Sequence, residues 1–311
     1  MIKGSVLLND CITPLGGLIG GCTSGEVCLF FRILNMLSYQ HGYHAGNFAD
    51  VMKHAILMRL LTYLVQKDKP LFYLETHAGK GLYDLHSKQS LKTGEAQQGI
   101  ESLWSKHAAL PSVFAPYIQA IQAVNEPKIL RHYPGSPSLA LNALRSQDRI
   151  YCCELHPAEY QVLKQLRSRD KKIFFSQSDG MVQMNAMLPP PERRGLVFID
   201  PSYEVKTEYR EIPRQIKSAY ARFETGVYCL WYPFVDKTHY EQLIRGLKQI
   251  GAPKVLRAEL RLNPSSRVGM SGCGLWIINP PYRLAEEVRE ILTHLCQCFN
   301  PGVSSFLLEE C

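Results

Sequence analysis

The run Gly195-Leu196-Val197-Phe198-Ile199 holds four consecutive apolar residues and stops abruptly at Asp200-Pro201-Ser202-Tyr203. Consecutive rather than alternating apolar residues mark a strand buried on both faces, which requires helices above and below a mostly parallel sheet. In open sheets of that kind the ligand crevice lies outside the carboxyl ends of the strands. The same pattern recurs along the chain. Leu71–Glu75 runs into Thr76-His77-Ala78-Gly79-Lys80-Gly81, Arg149–Cys153 into Glu154, and Lys172–Phe175 into Ser178-Asp179-Gly180. Gly226–Pro233, Lys254–Leu262 and Leu275–Ile278 read as further strands. Several strands that end in polar residues at a common edge are hard to explain by packing alone.

With 311 residues, 46% of them hydrophobic, the chain is long enough to bury a sizeable core in one large domain. The formal charge of +7 is compatible with a polyanionic partner but decides little. None of the ten cysteines forms a Cys-x-x-Cys pair, and Cys152, Cys153 and Cys229 sit inside apolar runs, as buried thiols of a reducing cytoplasm do. No window approaches the roughly 18 apolar residues of a membrane span, so no membrane association is expected. Residues 1–35 are unpatterned. Lys3 and the following apolar residues imitate an export signal, but Asn9, Asp10 and Pro14 break its core, so a poorly structured tail or an early start is expected there.

Candidate functional residues gather at the turns. Asn47 reads as a helix N-cap with Asp50 three residues on, and Val51, Ile56, Leu57, Leu60, Leu61 and Leu64 supply a periodic apolar face. Capping alone accounts equally well for Asn47 and Asp50. Lys53, beside His54, opposes the helix dipole, which suits an anionic or carboxylate partner better than helix stability. His41-x-x-His44 lacks a third and fourth ligand at finger-like spacing, so no metal is expected. The turn after Glu75 has glycines at 79 and 81 but no third glycine, unlike a dinucleotide fingerprint. Glu154 can accept two hydrogen bonds from a ribose diol. Asp200-Pro-x-Tyr203 supplies acceptors for the two N–H groups of an exocyclic base amine and a ring to stack on the base. Residues 82–131 read as an inserted helical subdomain and Val205–Phe223 as a helix with a basic face.

Taken in order, these motifs resemble the RlmJ family of bacterial 23S rRNA adenine-N6 methyltransferases. The residues that carry the resemblance are Met36-Leu37-Ser38-Tyr39 with His41, Gly46-Asn47 through Lys53-His54, Thr76-His77-Ala78-Gly79 and Tyr133-Pro134-Gly135-Ser136-Pro137. Glu154-Leu155-His156-Pro157, Asp179-Gly180, Asp200-Pro201-Ser202-Tyr203-Glu204 and Leu230-Trp231-Tyr232-Pro233 complete it. The resemblance implies a Rossmann-like class I methyltransferase fold with a seven-stranded, mostly parallel sheet, its last strand antiparallel. The core would occupy residues 36–81 and 132–311 around the helical insertion.

It further implies S-adenosylmethionine as cofactor, lined by His54, His77, Ser136, Glu154, Asp179, Gly180 and Asp200, with Lys53 and Gly79 nearby. Asp200, Pro201 and Tyr203 would carry the catalysis, and Tyr39, His41 and Tyr203 would meet the RNA. The implied partner is 23S ribosomal RNA, with adenine 2030 as target, and the expected state is a cytoplasmic monomer without metal. One departure is Ser202, where the family has a second proline; the other is the extension before Met36. Asn279-Pro280-Pro281-Tyr282 spells the adenine-methyltransferase signature more faithfully, but it follows the strand expected to run antiparallel, whose end points away from the cofactor. A DNA adenine-N6 methyltransferase shares the chemistry, but no additional domain for the major groove is visible. Missing glycine spacing weighs against a nicotinamide oxidoreductase, and a non-catalytic RNA-binding module leaves the polar edge without purpose.

Overall fold

The computed structural model describes residues 40–166, 172–262 and 270–311. The expected tail at 1–35 and Tyr39 lie outside the described residues. Among these, the strands are β1 (Phe72–Glu75), β2 (Leu82–Asp84), β3 (His132–Pro134), β4 (Arg149–Cys153), β5 (Lys172–Ser176), β6 (Gly195–Ile199), β7 (Val227–Pro233), β8 (Val255–Arg261), β9 (Gly272–Ile278) and β10 (Ser305–Glu310). The α-helices are α1 (Phe48–Leu64), α2 (Lys88–Thr93), α3 (Ile100–Trp104), α4 (Ala115–Gln122), α5 (Ser136–Ala143), α6 (Pro157–Leu163), α7 (Gly180–Met187), α8 (Glu208–Arg222), α9 (Lys237–Lys248) and α10 (Leu284–Cys298).

The main sheet has the order β5-β4-β1-β6-β7-β9-β8-β10. Strands β5, β4, β1, β6 and β7 pair in parallel. Strand β9 is inserted antiparallel between β7 and β8, so β8 runs in the same direction as β7. This is the Rossmann-like arrangement that the apolar runs require, with one difference in strand count. Where seven strands are expected, eight form, because Ser305–Glu310 adds an antiparallel edge to β8. Its partly exposed residues lack the buried apolar run that betrays a central strand.

Helices cover both faces. On one, α1 packs against α4, α5 and α10; on the other, α7 and α9 pack against α8. Helix α1 departs from the expected single apolar face. Thirteen of its 17 residues are buried, including Asp50, Lys53 and His54, because the sheet lies beneath it and α4, α5 and α10 enclose its other sides. Residues 82–131 open with β2, which pairs antiparallel with β3, and only then turn helical. The apolar side chains Ile100, Leu103, Phe114, Tyr117 and Ile121 join the same core cluster as α1.

The parallel strands place the loops after β1, β4, β5, β6, β7 and β8 at one edge. Glycine at 180 is a steric requirement there: a Cβ would lie 2.0 Å from the Thr76 carbonyl oxygen and 2.4 Å from its Cα. Backbone cannot yield to that as a side-chain tip can. Gly180→Ala is therefore expected to cost at least about 2 kcal/mol of unfolding free energy, read from urea denaturation. A loss within experimental error would contradict this packing of α7 on the β1 turn.

Candidate active site

Lys53 and Asp200 come from elements 147 residues apart and meet at 2.6 Å, Nζ to Oδ2. The ammonium also lies 2.8 Å from Asp50 Oδ1, one turn earlier on α1. Burial alone would push Lys53 down, yet the Asp200 and Asp50 carboxylates hold it above the ordinary lysine value, so it stays charged. Asp50 is more than a cap partner. Asn47 Oδ1 accepts its backbone N–H at 2.9 Å, while its own Oδ2 accepts from His41 Nε2 at 2.9 Å and from the Gly46 N–H at 2.9 Å. Burial works against that charge, but His41 and Lys53 keep Asp50 well below the usual carboxylate range. The carboxylate therefore ties the segment before α1 to Lys53.

Asp200 follows the last residue of β6 and keeps its side chain 14% exposed. Around it, a cavity of about 970 Å³ is lined by nine of the residues expected to touch cofactor, RNA or the reacting atoms: His41, Lys53, His54, His77, Gly79, Ser136, Glu154, Asp200 and Pro201. His54 is fixed by the Tyr133 hydroxyl, 2.7 Å from Nδ1, which in turn lies 2.9 Å from the Tyr117 hydroxyl. Burial depresses the His54 and His77 imidazoles, favouring their neutral forms. Gly79 and Gly81 have φ of +57° and +75°, which glycine adopts without the Cβ penalty. The Gly79 N–H donates to Glu154 Oε2 at 2.7 Å, and the His156 N–H to Oε1 at 2.7 Å. Each oxygen keeps a further lone pair for a ligand hydroxyl. Burial raises the Glu154 carboxyl, opposed by those two donors.

Other expected residues are placed differently. Asp179 is exposed and its Oδ1 caps α7, accepting from Met181 at 2.8 Å and Val182 at 3.2 Å. Neither Asp179 nor Gly180 lines the cavity in this structure. Tyr203, expected to stack on a base, is 6% exposed. Its ring packs against Tyr209 at 4.5 Å and Trp231 at 6.2 Å, and its hydroxyl donates to the Trp231 carbonyl at 3.0 Å. His41 and His44 turn to different carboxylates, Asp50 and Glu95. The faithful Asn279-Pro280-Pro281-Tyr282 signature follows antiparallel β9 and so sits at the opposite edge. There Asn279 Nδ2 donates to the carbonyls of Glu224 and Gly226, and Tyr282 is 93% exposed.

Glu75 was not singled out, although it closes β1 as Glu154 follows β4. It is fully buried and accepts from the Tyr73 hydroxyl at 3.0 Å and from the Ser136 hydroxyl. Burial pushes its carboxyl up to about 8, against the two hydroxyl donors. A raised carboxyl value means that the native state prefers the proton. The stabilisation is complete below the ordinary value of 4.5 and lost as the pH climbs through about 8. Relative to Glu75→Gln, the unsubstituted protein is expected to lose thermal stability between about pH 4.5 and about pH 8. A difference in melting temperature that stays constant across that range would contradict a protonated Glu75.

The fit of S-adenosylmethionine rests on these groups. The cavity volume suits a nucleoside-sized ligand, Glu154 offers anchored acceptors for a ribose diol, and the glycine turn lets backbone approach closely.

Comparison with known proteins shows what the chain resembles. Residues 68–307 match the family model described as "Ribosomal RNA large subunit methyltransferase D, RlmJ". The chain is 44% identical over 277 residues to ribosomal RNA large subunit methyltransferase J of Haemophilus influenzae, covering 88% of this chain and 98% of that relative. It is 42% identical over 261 residues to the Escherichia coli protein of the same name, covering 84% and 93%. A crystal structure of a Legionella pneumophila protein superposes with a TM-score of 0.83 at 54% identity, covering 86% of this chain and 98% of that one.

Proposed function

This chain belongs to the RlmJ family of ribosomal RNA large subunit methyltransferases, and from that premise we propose that it methylates the exocyclic N6 of one adenine of 23S rRNA, adenine 2030. S-adenosylmethionine is the proposed methyl donor, and the cytoplasm the proposed place of reaction. The observation that carries the reading is the Asp200 carboxylate, held by Lys53 at the wall of the cavity that Glu154 and Gly79 also line. When bound, the donor would supply an electrophilic methyl group, its carbon–sulfur bond breaking to leave a neutral thioether as the carbon–nitrogen bond forms.

The chain's own residues do the rest. An adenine amine is a weak nucleophile because its lone pair is delocalised into the ring. Asp200 Oδ2 is committed to Lys53, so Oδ1 is the acceptor for one N6–H, and the Pro201 carbonyl takes the other. As nitrogen gains the methyl carbon it releases one proton, which Asp200 Oδ1 accepts. Neutral His54 and His77 keep further positive charge away from the reacting centre. Positioning provides much of the acceleration, because an effectively intramolecular encounter removes several kcal/mol of entropic barrier.

The target adenine has to leave its stack to reach this edge, which is cheapest in a loop or bulge. Glu95, Gln97, Gln98 and Ser102 of the insertion line the cavity, as Pro233 and Val235 do, and this gives the insertion a share in cupping the RNA. Tyr203 takes its stacking role only if the turn releases the ring from between Tyr209 and Trp231. Ser202 eases that movement, since it lacks the fixed φ of the family's second proline.

Asp200→Asn keeps the shape of the turn and removes the proton acceptor. Transfer of radiolabelled methyl to 23S rRNA is expected to fall at least about a hundredfold, with Tyr282→Ala unchanged. Wild-type transfer by Asp200→Asn would overturn the assignment of Asp200. Preferential labelling of duplex DNA in direct competition would overturn the choice of polymer.

A further inference from the structure

Arg261 closes β8 at the same sheet edge as Asp200, since β8 is parallel to β7 with β9 reversed between them. Arg257, Glu259 and Arg261 share one face of that strand by its two-residue repeat. Glu259 is fully buried, and a carboxylate survives there only with its lone pairs occupied. Its Oε1 accepts from the Tyr232 hydroxyl at 3.0 Å, the Tyr240 hydroxyl at 2.8 Å and Arg257 Nε at 2.8 Å. Its Oε2 accepts from Arg261 Nη2 at 2.7 Å.

The two arginines are not equivalent. Arg257 is 8% exposed and is further committed to Glu309 at 2.9 Å and to the Tyr240 hydroxyl. Arg261 has a side chain 43% exposed. Its guanidinium lies over the Phe234 ring, 5.5 Å from the centroid, and its buried Nε has no partner. A planar fork fixed on one edge by a carboxylate and on one face by a ring loses little entropy when its remaining donors bind. The neighbours of this pair reach the catalytic cavity: Pro233 and Val235 flank Phe234, Leu262 follows Arg261, and all three line it, with Val235 63% exposed.

We propose that Arg261, steadied by Glu259 and Phe234, is a subsite for a phosphodiester of the RNA strand flanking the target nucleotide. Three strand spacings separate β8 from β6, roughly 14 Å, which is too far for the reacting base and suited to backbone beyond it. The charges of Arg257, Arg261, Glu259 and Glu309 cancel, so the contact acts at hydrogen-bond range and contributes little long-range steering. The proposal rests on the RNA methyltransferase reading above.

The test uses the full chain with a 23S rRNA fragment, with methyl transfer measured across a salt series. Arg261→Gln is expected to raise KM for RNA about tenfold and to flatten the logarithmic salt dependence by about one ion. Its kcat at saturating RNA and its KM for S-adenosylmethionine are expected to stay unchanged. Arg257→Gln, which removes the internal partner of Glu259, is expected to lower the melting temperature without changing the salt slope. If Arg261→Gln melts early, Arg261→Lys carries the test, retaining the slope while KM for RNA rises about threefold. An unchanged RNA KM and salt slope in Arg261→Gln would overturn the subsite, as would parallel losses in both glutamine variants. Absence of any RNA methylation by the unsubstituted enzyme would instead fell the functional reading, and this proposal with it.

Discussion

A lysine ammonium buried between two carboxylates holds this site together. Lys53 is 3% exposed and touches Asp50 and Asp200. A lone charge in that position costs several kcal/mol, so each of the three groups depends on the other two. Asp50 also takes hydrogen bonds from His41 and the Gly46 N–H. The same short chain of contacts therefore fixes the segment before α1, the first turn of α1 and the turn after β6. Removing Lys53 would leave two carboxylates without their shared cation, whereas neutralising Asp200 leaves the ammonium paired with Asp50.

The reason the chemistry concentrates at one edge is topological. Parallel strands put all their carboxyl ends on one side, and the reversal of β9 sends its own end to the other. That is why Asp200-Pro201-Ser202-Tyr203 stands in the cavity wall or beside it while the better-spelled Asn279-Pro280-Pro281-Tyr282 faces solvent across the sheet. Beneath the edge lies a second layer. The protonated Glu75 carboxyl under Ser136, and the Tyr117 and Tyr133 hydroxyls behind His54, hold lining side chains without touching the cavity.

Much of this was legible in the sequence because buried parallel strands announce themselves as uninterrupted apolar runs. β1, β4, β6 and β7 emerge within a residue of their reading, and Glu154 and Asp200, the acids that follow β4 and β6, stand out for the same reason. What escaped depends on distant partners. Asp50 looks like a capping residue until Lys53 and His41 converge on it, and Tyr203 looks like a stacking ring until Tyr209 and Trp231 enclose it. Glu75 was accessible by the rule that found Glu154, an acid closing a buried strand, but its immediate neighbour is the more conspicuous glycine turn. Two opposite charges one turn apart at the start of a helix whose other residues are mostly apolar would have marked Asp50 and Lys53 as a buried pair. Strands β2, β3 and β10 are short or partly exposed and carry no run long enough to read.

The proposed methylation of one 23S rRNA adenine at N6 is tested most directly by a map of methylated adenines in rRNA from cells with and without the gene. The expected result is a single N6-methyladenine in 23S rRNA that disappears with the gene and returns when it is restored. Identical maps from the two strains would contradict it.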